Sequence, residues 1–191
     1  EDAFVMTITS RIKNLNDKGH NTLIEIFNKY ELPNTYLIVI GKGKGLSKLK
    51  KIVKENNLES RIIFLGHIVE VQEVLDITDI TVLPSKFETF GLAIAEGMAM
   101  NKPAIAYNVG GISEVIDTNI NGFLVNTNDL DEFYQKISFY IKNKENLEII
   151  GEKARKKVLN FFSLQDMLLQ IEQLYRSLTQ GEMINKYEEN I

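Results

Sequence analysis

The chain contains the continuous apolar run Tyr36-Leu37-Ile38-Val39-Ile40-Gly41, which ends at a glycine. Strands that are buried on both faces have this pattern, and such strands are typical of parallel sheets. Five similar runs occur elsewhere in the chain. They are Phe4 to Thr9, Ile62 to Leu65, Ile80 to Leu83, Ala104 to Tyr107 and Gly122 to Val125.

Segments with apolar residues at helical spacing separate these runs. Leu23, Ile24, Phe27 and Tyr30 form the first of them, and the spacing predicts a helix there. Further helices are predicted over residues 46–53, 71–77, 91–100, 112–116, 130–141, 147–161 and 164–178. The alternation predicts an α/β fold: a doubly wound, parallel, six-stranded sheet with helices on both faces and extra C-terminal helices. We expect one domain over residues 1–180 and a polar tail over residues 181–191.

The composition narrows the class of protein. The 191 residues are 44% hydrophobic and 25% charged, which argues against disorder and low complexity. The net charge of −4 disfavours a nucleic-acid partner. Cysteine is absent, so thiolate metal sites are excluded and a cytoplasmic location is favoured. No transmembrane segment or signal peptide is predicted. Because the chain does not begin with Met, we expect it to be part of a longer protein.

Ligands of a doubly wound sheet bind beyond the carboxyl ends of the strands. The segment Pro84 to Glu96 lies there, because it follows a predicted strand and opens a helix. The free amides of Phe90, Gly91 and Leu92 at the start of that helix suit a phosphate group. Gly91 also permits close approach of a ligand to the backbone.

Two glutamates belong to the same segment. Glu96 is the only charged residue between Thr89 and Asn101 on a helix that is otherwise nearly apolar, and a buried carboxylate needs partners. It lies about 7 Å along the axis from the first turn, so a nucleoside diphosphate can place its phosphate at the helix start and its ribose at Glu96. Glu88 can face the group beyond the phosphate. A salt bridge for Glu96 and a favourable charge at the helix start for Glu88 remain alternatives.

A second polar cluster, Ser10 to Gly19, follows the first predicted strand and therefore lies at the same edge. Arg11 and Lys18 can both reach a pyrophosphate, the arginine in bidentate fashion and the lysine as a point charge. The alternative is that both are solvated loop cations.

Glycine turns follow other strands. Gly41-Lys42-Gly43 is not a dinucleotide fingerprint, because Leu46 occupies the third glycine position; we expect Gly41 and Gly43 to form a tight turn at the ligand edge. His67 follows Gly66 at this edge and is predicted either to line a base pocket or to be a plain loop residue.

Gly110-Gly111 opens another helix at the ligand edge. It is expected either to touch the donor sugar or phosphate or to be only a turn. No metal site is predicted, since the motif Asp129-Leu130-Asp131 is explained by helix capping.

In combination and order, these segments resemble the second, donor-binding domain of GT-B fold retaining glycosyltransferases of family 4, the glycosyl transferases group 1. The anchor is a pair of glutamates with seven residues between them, Glu88 and Glu96, within Pro84-Ser85-x-x-Glu88-x-Phe90-Gly91-Leu92. Other matching elements surround it: Arg11, Lys18-Gly19, Gly41-x-Gly43, Phe64-Leu65-Gly66, Lys102-Pro103, Gly110-Gly111 and Asn121 to Val125. The resemblance extends from Thr7 to about Leu178.

The resemblance implies a Rossmann-like domain that binds a nucleotide-diphosphate sugar and needs neither a cofactor nor a metal. Glu96 would hold the ribose hydroxyls and Glu88 would contact the donor sugar. The amides at residues 90–92 would bind the distal phosphate, while Arg11 and Lys18 would neutralise the leaving diphosphate. Fixed donors aimed at a developing charge stabilise a transition state, so the physical argument agrees.

The chain departs from the family pattern in three respects. The loop from Arg11 to Lys18 is slightly long, and Gly97 stands where the family usually has alanine, which lowers helix propensity by up to ~1 kcal/mol. The first domain of the family, which binds the acceptor, is absent. We therefore expect the chain to bind nucleotide without transferring sugar alone, and its last helix to lean toward the missing domain with an exposed apolar patch.

The expected partners follow from the resemblance. They are a nucleotide-diphosphate sugar, the N-terminal domain of the same protein, and an acceptor saccharide or glycolipid. The expected setting is surface polysaccharide or glycolipid synthesis in the cytoplasm, including the cytoplasmic face of the membrane. Two other functions remain as alternatives: a non-catalytic nucleotide-binding module on this scaffold and a GT-B sugar-nucleotide epimerase.

Overall fold

The computed structural model describes residues 3–179, and their strands form one parallel sheet. The strands are β1 (Phe4–Thr9), β2 (Thr35–Ile40), β3 (Ile62–Gly66), β4 (Ile80–Leu83), β5 (Ala104–Tyr107) and β6 (Gly122–Val125). Their order across the sheet is β3-β2-β1-β4-β5-β6, and neighbouring strands are parallel. The predicted six-stranded, doubly wound sheet is confirmed.

Helices connect the strands and complete the C-terminal part of the described chain. They are α1 (His20–Lys29), α2 (Leu46–Glu55), α3 (Val71–Asp76), α4 (Leu92–Ala99), α5 (Ile112–Val115), α6 (Leu130–Lys142), α7 (Leu147–Phe161) and α8 (Leu164–Thr179). Right-handed crossovers on the two sides of the β1–β4 pair place helices on both faces of the sheet. Asp129 caps α6 by accepting a hydrogen bond from the Glu132 amide at 2.8 Å, as its sequence context predicts.

The central strands carry the core. Met6, Ile80 and Ile105 are completely buried in the main apolar cluster. A smaller cluster, built on Ile38, Ile40 and Val74, packs beneath α3. The continuous apolar runs of the sequence are therefore explained by burial on both faces of the sheet.

The last described helix, α8, presents an unpacked apolar face. Its large apolar side chains recur every three or four residues and are each between 41% and 66% exposed: Leu164, Met167, Leu168, Leu169, Ile171, Leu174, Tyr175 and Leu178. The expected exposed apolar patch is confirmed, whereas the expected lean toward another domain stays a prediction. The predicted polar tail, residues 181–191, lies outside the described residues. Over residues 3–179, the helices fall short of the length and hydropathy that a bilayer crossing requires.

Candidate functional site

The crevice between β1 and β4 is where the winding of the sheet reverses, and such a switch point is the expected ligand site of a doubly wound fold. The loops at residues 10–19 and 84–91 leave the carboxyl ends of these two strands. Three adjacent cavities open along this edge, and neighbouring cavities share lining residues. Their volumes are about 220 Å³ in the centre, about 440 Å³ beside residue 110 and about 320 Å³ beside residue 67.

The central cavity brings together six of the predicted site residues. Its lining includes Arg11, Lys18, Glu88, Phe90, Gly91 and Leu92. Thr9, Ser10 and Thr89 also line it, although the sequence argument did not single them out. Their sequence signal is weak: Thr9 ends β1, Ser10 follows it directly, and Thr89 lies in the loop before α4.

The N-terminus of α4 opens into the central cavity. Its cap residue, Gly91, has a φ of 93° and no side chain caps the helix, so the first amides remain available to an anion together with the positive end of the helix dipole. A side chain on Gly91 would overlap Ile112. The Phe90 ring packs edge-on against Phe162, with the ring centroids 5.0 Å apart.

Lys18 and Glu88 form an ion pair at the rim of the central cavity. The Lys18 Nζ lies 2.6 Å from Glu88 Oε2 and also donates to the Phe87 carbonyl oxygen at 3.3 Å. Both side chains are partly buried, with exposed fractions of 26% and 16%. The pair joins the loop after β1 to the loop after β4, so each residue fixes the position of the other.

Ser85 holds the same two loops together from below. Its completely buried hydroxyl lies 3.0 Å from the Asp17 carbonyl oxygen and 2.8 Å from that of Phe87. The Lys86 amide donates to the Asp17 carbonyl oxygen as well, at 2.8 Å. Sequence reasoning treated Ser85 only as part of the motif, because nothing local shows that its partner lies 68 residues away.

Arg11 differs from Lys18 in its surroundings. It is exposed and lines both the central cavity and the cavity beside His67. Among residues 3–179, no carboxylate lies within salt-bridge distance of Arg11. The guanidinium is therefore free to meet an anionic ligand, whereas Lys18 is already shared with Glu88.

The turn after β2 supports the loop that carries Arg11. A Cβ on Gly41 or Gly43 would overlap the carbonyl oxygen of Ser10 or Ile12, respectively. The close approach allows the Ser10 amide to donate to the Ile40 carbonyl oxygen at 3.0 Å. Gly41 lines the cavity beside His67, whereas Gly43 lies outside the three cavities and faces the neighbouring loop.

The other predicted edge residues have different surroundings. His67 is exposed and lines its cavity beside Arg11 and Gly41. Gly66 accepts a hydrogen bond from the Gly41 amide at 2.6 Å, at the rim of that cavity.

Gly110 and Gly111 pack directly on the loop that carries Glu88. The Gly111 amide donates to the Thr89 carbonyl oxygen at 2.9 Å, and a Cβ on Gly110 would overlap the Glu88 carbonyl oxygen. Gly110 also lines the cavity of about 440 Å³ that it shares with Lys18 and Glu88. This turn therefore positions the Glu88 backbone as well as bordering open space.

Glu96 requires a correction. It is exposed rather than buried, because the outer face of the short helix α4 is open to solvent at Leu92 and Glu96. It lines a separate cavity of about 250 Å³ between α3 and α4, which shares Val71 with the cavity beside His67. Partial desolvation raises the pKa of the Glu96 carboxyl above its ordinary value. Over residues 3–179, it has no salt-bridge partner, so the salt-bridge alternative is not realised.

His20 lies behind the Arg11 loop and does not border the cavities. It is buried, and its Nε2 lies 3.2 Å from the Ser10 hydroxyl. Desolvation lowers the pKa of His20 to about 4, so the ring is neutral at physiological pH. Within the described residues, no group of three or more His, Asp or Glu side chains is arranged to hold a metal ion.

The fold and the switch-point crevice define a doubly wound α/β class of protein with a ligand crevice at the carboxyl ends of its strands. Residues 3–157 match the family model described as Glycosyl transferases group 1. The chain belongs to that family.

Known relatives and solved structures agree with this membership. The chain is 31% identical over 150 residues to N-acetyl-alpha-D-glucosaminyl L-malate synthase of Bacillus anthracis, which covers 78% of this chain and 39% of the relative. It is 29% identical over 145 residues to the UDP-Gal:alpha-D-GlcNAc-diphosphoundecaprenol alpha-1,3-galactosyltransferase of Escherichia coli, covering 75% and 37% of the two chains. The structure of Anabaena HepE with UDP and glucose superposes with a TM-score of 0.83 at 25% identity, over 92% of this chain and 48% of that one. The chain thus spans about two fifths of the length of these curated relatives.

Proposed function

We propose that this chain is the donor-binding part of a retaining glycosyltransferase and binds a nucleoside-diphosphate sugar. The observation that carries the proposal is the central cavity, where the open N-terminus of α4, the cations Arg11 and Lys18 and the carboxylate of Glu88 meet. A diphosphate linked to a sugar presents two anionic groups followed by hydroxyls. Arg11 lines the side of the central cavity that adjoins the cavity beside His67, whereas Glu88 lines the side that adjoins the cavity beside Gly110.

The three edge cavities suggest how the donor lies. The base and the ribose occupy the cavity beside His67, which shares Arg11 with the central cavity. The ribose hydroxyls face the adjoining cavity of Glu96, because these two cavities share Val71. The diphosphate lies at the start of α4 in the central cavity. The sugar enters the cavity of about 440 Å³ beside Glu88 and Gly110.

The chemistry assigned to these residues is electrostatic. When the bond from the sugar to the diphosphate breaks, negative charge accumulates on the leaving phosphate. The amides of α4, Arg11 and Lys18 stabilise that charge, since donors fixed in advance need no reorganisation during the reaction. Lys18 must shift from Glu88 toward the phosphate, and this shift leaves the Glu88 carboxylate to accept hydrogen bonds from sugar hydroxyls. We propose that these cations act without a bound metal.

The remaining parts of the reaction belong to a portion of the protein outside this chain. The curated relatives are more than twice as long as the matched region, and we propose that the additional length supplies the acceptor side of the cleft. An acceptor saccharide or glycolipid is the proposed class, since one relative is named for transfer to a diphosphoundecaprenol-linked sugar. We place the enzyme in the cytoplasm, where surface polysaccharides and glycolipids are assembled on the membrane face.

Isothermal calorimetry with UDP, GDP, ADP and CDP in the presence of EDTA tests donor binding. We expect one diphosphate to bind, and Arg11→Gln to weaken it by ten- to a hundredfold, since hydrogen bonds to charged groups contribute about 1.5–3 kcal/mol. Lys153→Gln, a change at an exposed lysine of α7, serves as the control and should leave affinity unchanged. Equal affinity for the bound diphosphate and for its monophosphate, with no effect of Arg11→Gln, would contradict the proposed diphosphate site.

Transfer is tested separately with the donor sugar and an acceptor glycolipid. The 191-residue chain should give no product, and the longer protein should give product with the anomeric configuration of the donor retained. Sugar transfer by the isolated chain would contradict the proposal that the acceptor side of the cleft lies outside this chain. An inverted product from the longer protein would contradict the retaining mechanism.

A further inference from the structure

The hydroxyl of Ser10 lies between the ligand crevice and a buried histidine. Ser10 is half-buried and lines both the central cavity and the cavity beside His67. Its Oγ lies 3.2 Å from the Nε2 of His20, which is only 2% exposed and does not border the cavities. Ser10 therefore connects a surface that a ligand can reach to an imidazole that solvent barely reaches.

Both partners of this hydrogen bond are held in place by their backbones. The Ser10 amide donates to the Ile40 carbonyl oxygen at 3.0 Å, which continues the pairing of β1 with β2 past the end of the strands. His20 is the first residue of α1 and follows Gly19. A Cβ on Gly19 would overlap the Pro84 carbonyl oxygen, so the start of α1 packs tightly on the loop after β4. The positions of Ser10 and His20 are thus set by the protein before a ligand binds.

The two ring nitrogens of His20 have different surroundings. Within residues 3–179, Nδ1 is buried without a hydrogen-bond partner, whereas Nε2 has the Ser10 hydroxyl. Because desolvation lowers the pKa of His20 to about 4, the ring is neutral at pH 7 and carries one N–H. Two arrangements are possible. Either the hydroxyl donates to Nε2 and the proton of the ring is on Nδ1, or Nε2–H donates to the hydroxyl oxygen.

An anionic ligand selects the second arrangement. In the first, the hydroxyl proton points at His20, so Ser10 offers only lone pairs to the crevice, and Nδ1–H is a buried donor without an acceptor. In the second, Nε2–H has its acceptor and the hydroxyl proton is left for the ligand. A hydrogen bond from a hydroxyl to a charged phosphate is about twice as strong as a bond between neutral groups.

We propose that the Ser10 hydroxyl donates a hydrogen bond to the phosphate nearer the ribose, and that His20 is a positioning residue that orients this hydroxyl through Nε2–H. The inner phosphate is the one concerned because Ser10, like Arg11, lines both the central cavity and the cavity beside His67. The proposed diphosphate and ribose meet where these two cavities adjoin. The inference rests on the proposed function, since it requires a nucleotide in the crevice.

Calorimetry on the 191-residue chain tests the contact made by Ser10. The probes are whichever of UDP, GDP, ADP and CDP binds wild type, and the corresponding monophosphate. Ser10→Ala should weaken the binding of both by about tenfold to a hundredfold, because each contains the inner phosphate and hydrogen bonds to charged groups are strong. Ser47→Ala, at an exposed serine of α2, is the control and should leave both affinities unchanged. A loss confined to the diphosphate would overturn the assignment to the inner phosphate.

A double-mutant cycle separates positioning by His20 from a purely structural role. His20→Leu should weaken diphosphate binding by about two- to tenfold, because the Ser10 hydroxyl is then free to rotate and must be ordered on binding. His20→Gln should retain most of the affinity, since its amide can supply an N–H to the hydroxyl. In the Ser10→Ala background, His20→Leu should have no effect. Equal losses in both backgrounds would overturn the positioning role, and urea unfolding checks that each variant is folded.

Nitrogen-15 NMR of the imidazole rings measures the position of the proton directly. The chain contains two histidines, so comparison with ligand-free His67→Gln assigns the signals of His20. With the diphosphate bound to wild type at pH 7, we expect the proton of His20 on Nε2, and a proton on Nδ1 would overturn the inference. Absence of diphosphate binding by wild type would refute the proposed function and this inference with it. Wild-type binding that Ser10→Ala leaves unchanged would refute this inference alone.

Discussion

Gly97 on α4 packs directly against Thr81 on β4, and substitutions at these two residues test this contact quantitatively. A Cβ on Gly97 would overlap the γ-methyl of Thr81 and lie 3.0 Å from Thr81 Oγ1. Thr81 Oγ1 is itself buried without a hydrogen-bond partner in the described structure. Only a residue without a Cβ allows α4 to pack this close to β4. The low helix propensity of Gly97, which the sequence analysis noted, is offset by this close packing.

The expected effect of Gly97→Ala is the difference between two opposing contributions. Alanine in a helix interior is favoured over glycine by about 1 kcal/mol. Overpacking a well-filled core costs about 1–3 kcal/mol. We therefore expect Gly97→Ala to lower the free energy of unfolding by up to about 2 kcal/mol. Thr81→Ala removes the γ-methyl together with the unpartnered hydroxyl, and these two changes largely cancel.

The double variant Thr81→Ala/Gly97→Ala should regain most of the loss, because the overlap with the γ-methyl disappears and a tight contact of 3.2 Å with the residue 81 Cβ remains. Urea unfolding followed by circular dichroism at neutral pH measures all four proteins of the cycle. We expect a coupling energy of about 1–3 kcal/mol, as is found for residues in contact. Additive effects within about 0.5 kcal/mol, or a Gly97→Ala variant more stable than wild type, would refute the packing argument.

Three further predictions concern a buried histidine, an exposed carboxylate and a loop hydroxyl. Burial lowers the pKa of His20 in the folded state from its ordinary 6.5 to about 4. The contribution of His20 to stability is therefore complete above pH 6.5 and is lost as the pH falls toward 4. Between these pH values, His20→Gln should reduce the pH dependence of the free energy of unfolding in urea by up to about 1.4 kcal/mol per pH unit. The raised pKa of Glu96 means that its charged form opposes folding, so Glu96→Gln should raise the melting temperature at pH 7 and give no increase below pH 4.5. Ser85→Ala removes a buried hydroxyl that donates to one of two carbonyl oxygens, each of which keeps a second donor, and should lower the free energy of unfolding by about 0.5–1.5 kcal/mol.

Each of these predictions has a control at an exposed position of the same residue type. His67→Gln should leave the pH dependence unchanged, and an unaltered slope in His20→Gln would contradict the assignment to His20. Glu152→Gln should have little effect on the melting temperature, whereas a destabilised Glu96→Gln would contradict the sign of the effect. Ser113→Ala should leave the free energy of unfolding nearly unchanged. Equal stabilities of Ser85→Ala and wild type would contradict the proposal that Ser85 holds the two loops together.

Much of the fold followed from local patterns in the chain. The run from Tyr36 to Ile40 and its five counterparts predicted the strands, because burial on both faces leaves a continuous apolar signature that needs no knowledge of partners. The positions of Arg11 and Glu88 at one edge followed from the rule that the carboxyl ends of parallel strands lie together. Glu96 was expected to be buried, and this was wrong: apolar neighbours along a helix of eight residues do not reveal which face other elements cover.

By itself, the sequence determined the α/β alternation, the edge of the sheet at which the switch-point crevice opens and the family signature of paired glutamates. Only the tertiary structure decided that Lys18 is paired with Glu88 whereas Arg11 has no carboxylate partner among residues 3–179. It also decided that Ser85 joins loops 68 residues apart in the chain and that Gly97 makes room for Thr81. It also placed Glu96 in a cavity separate from that of Glu88. The physical reason is that secondary structure reflects short-range periodicity, whereas ion pairs, clamps and close packing depend on which distant segments the completed sheet brings into contact.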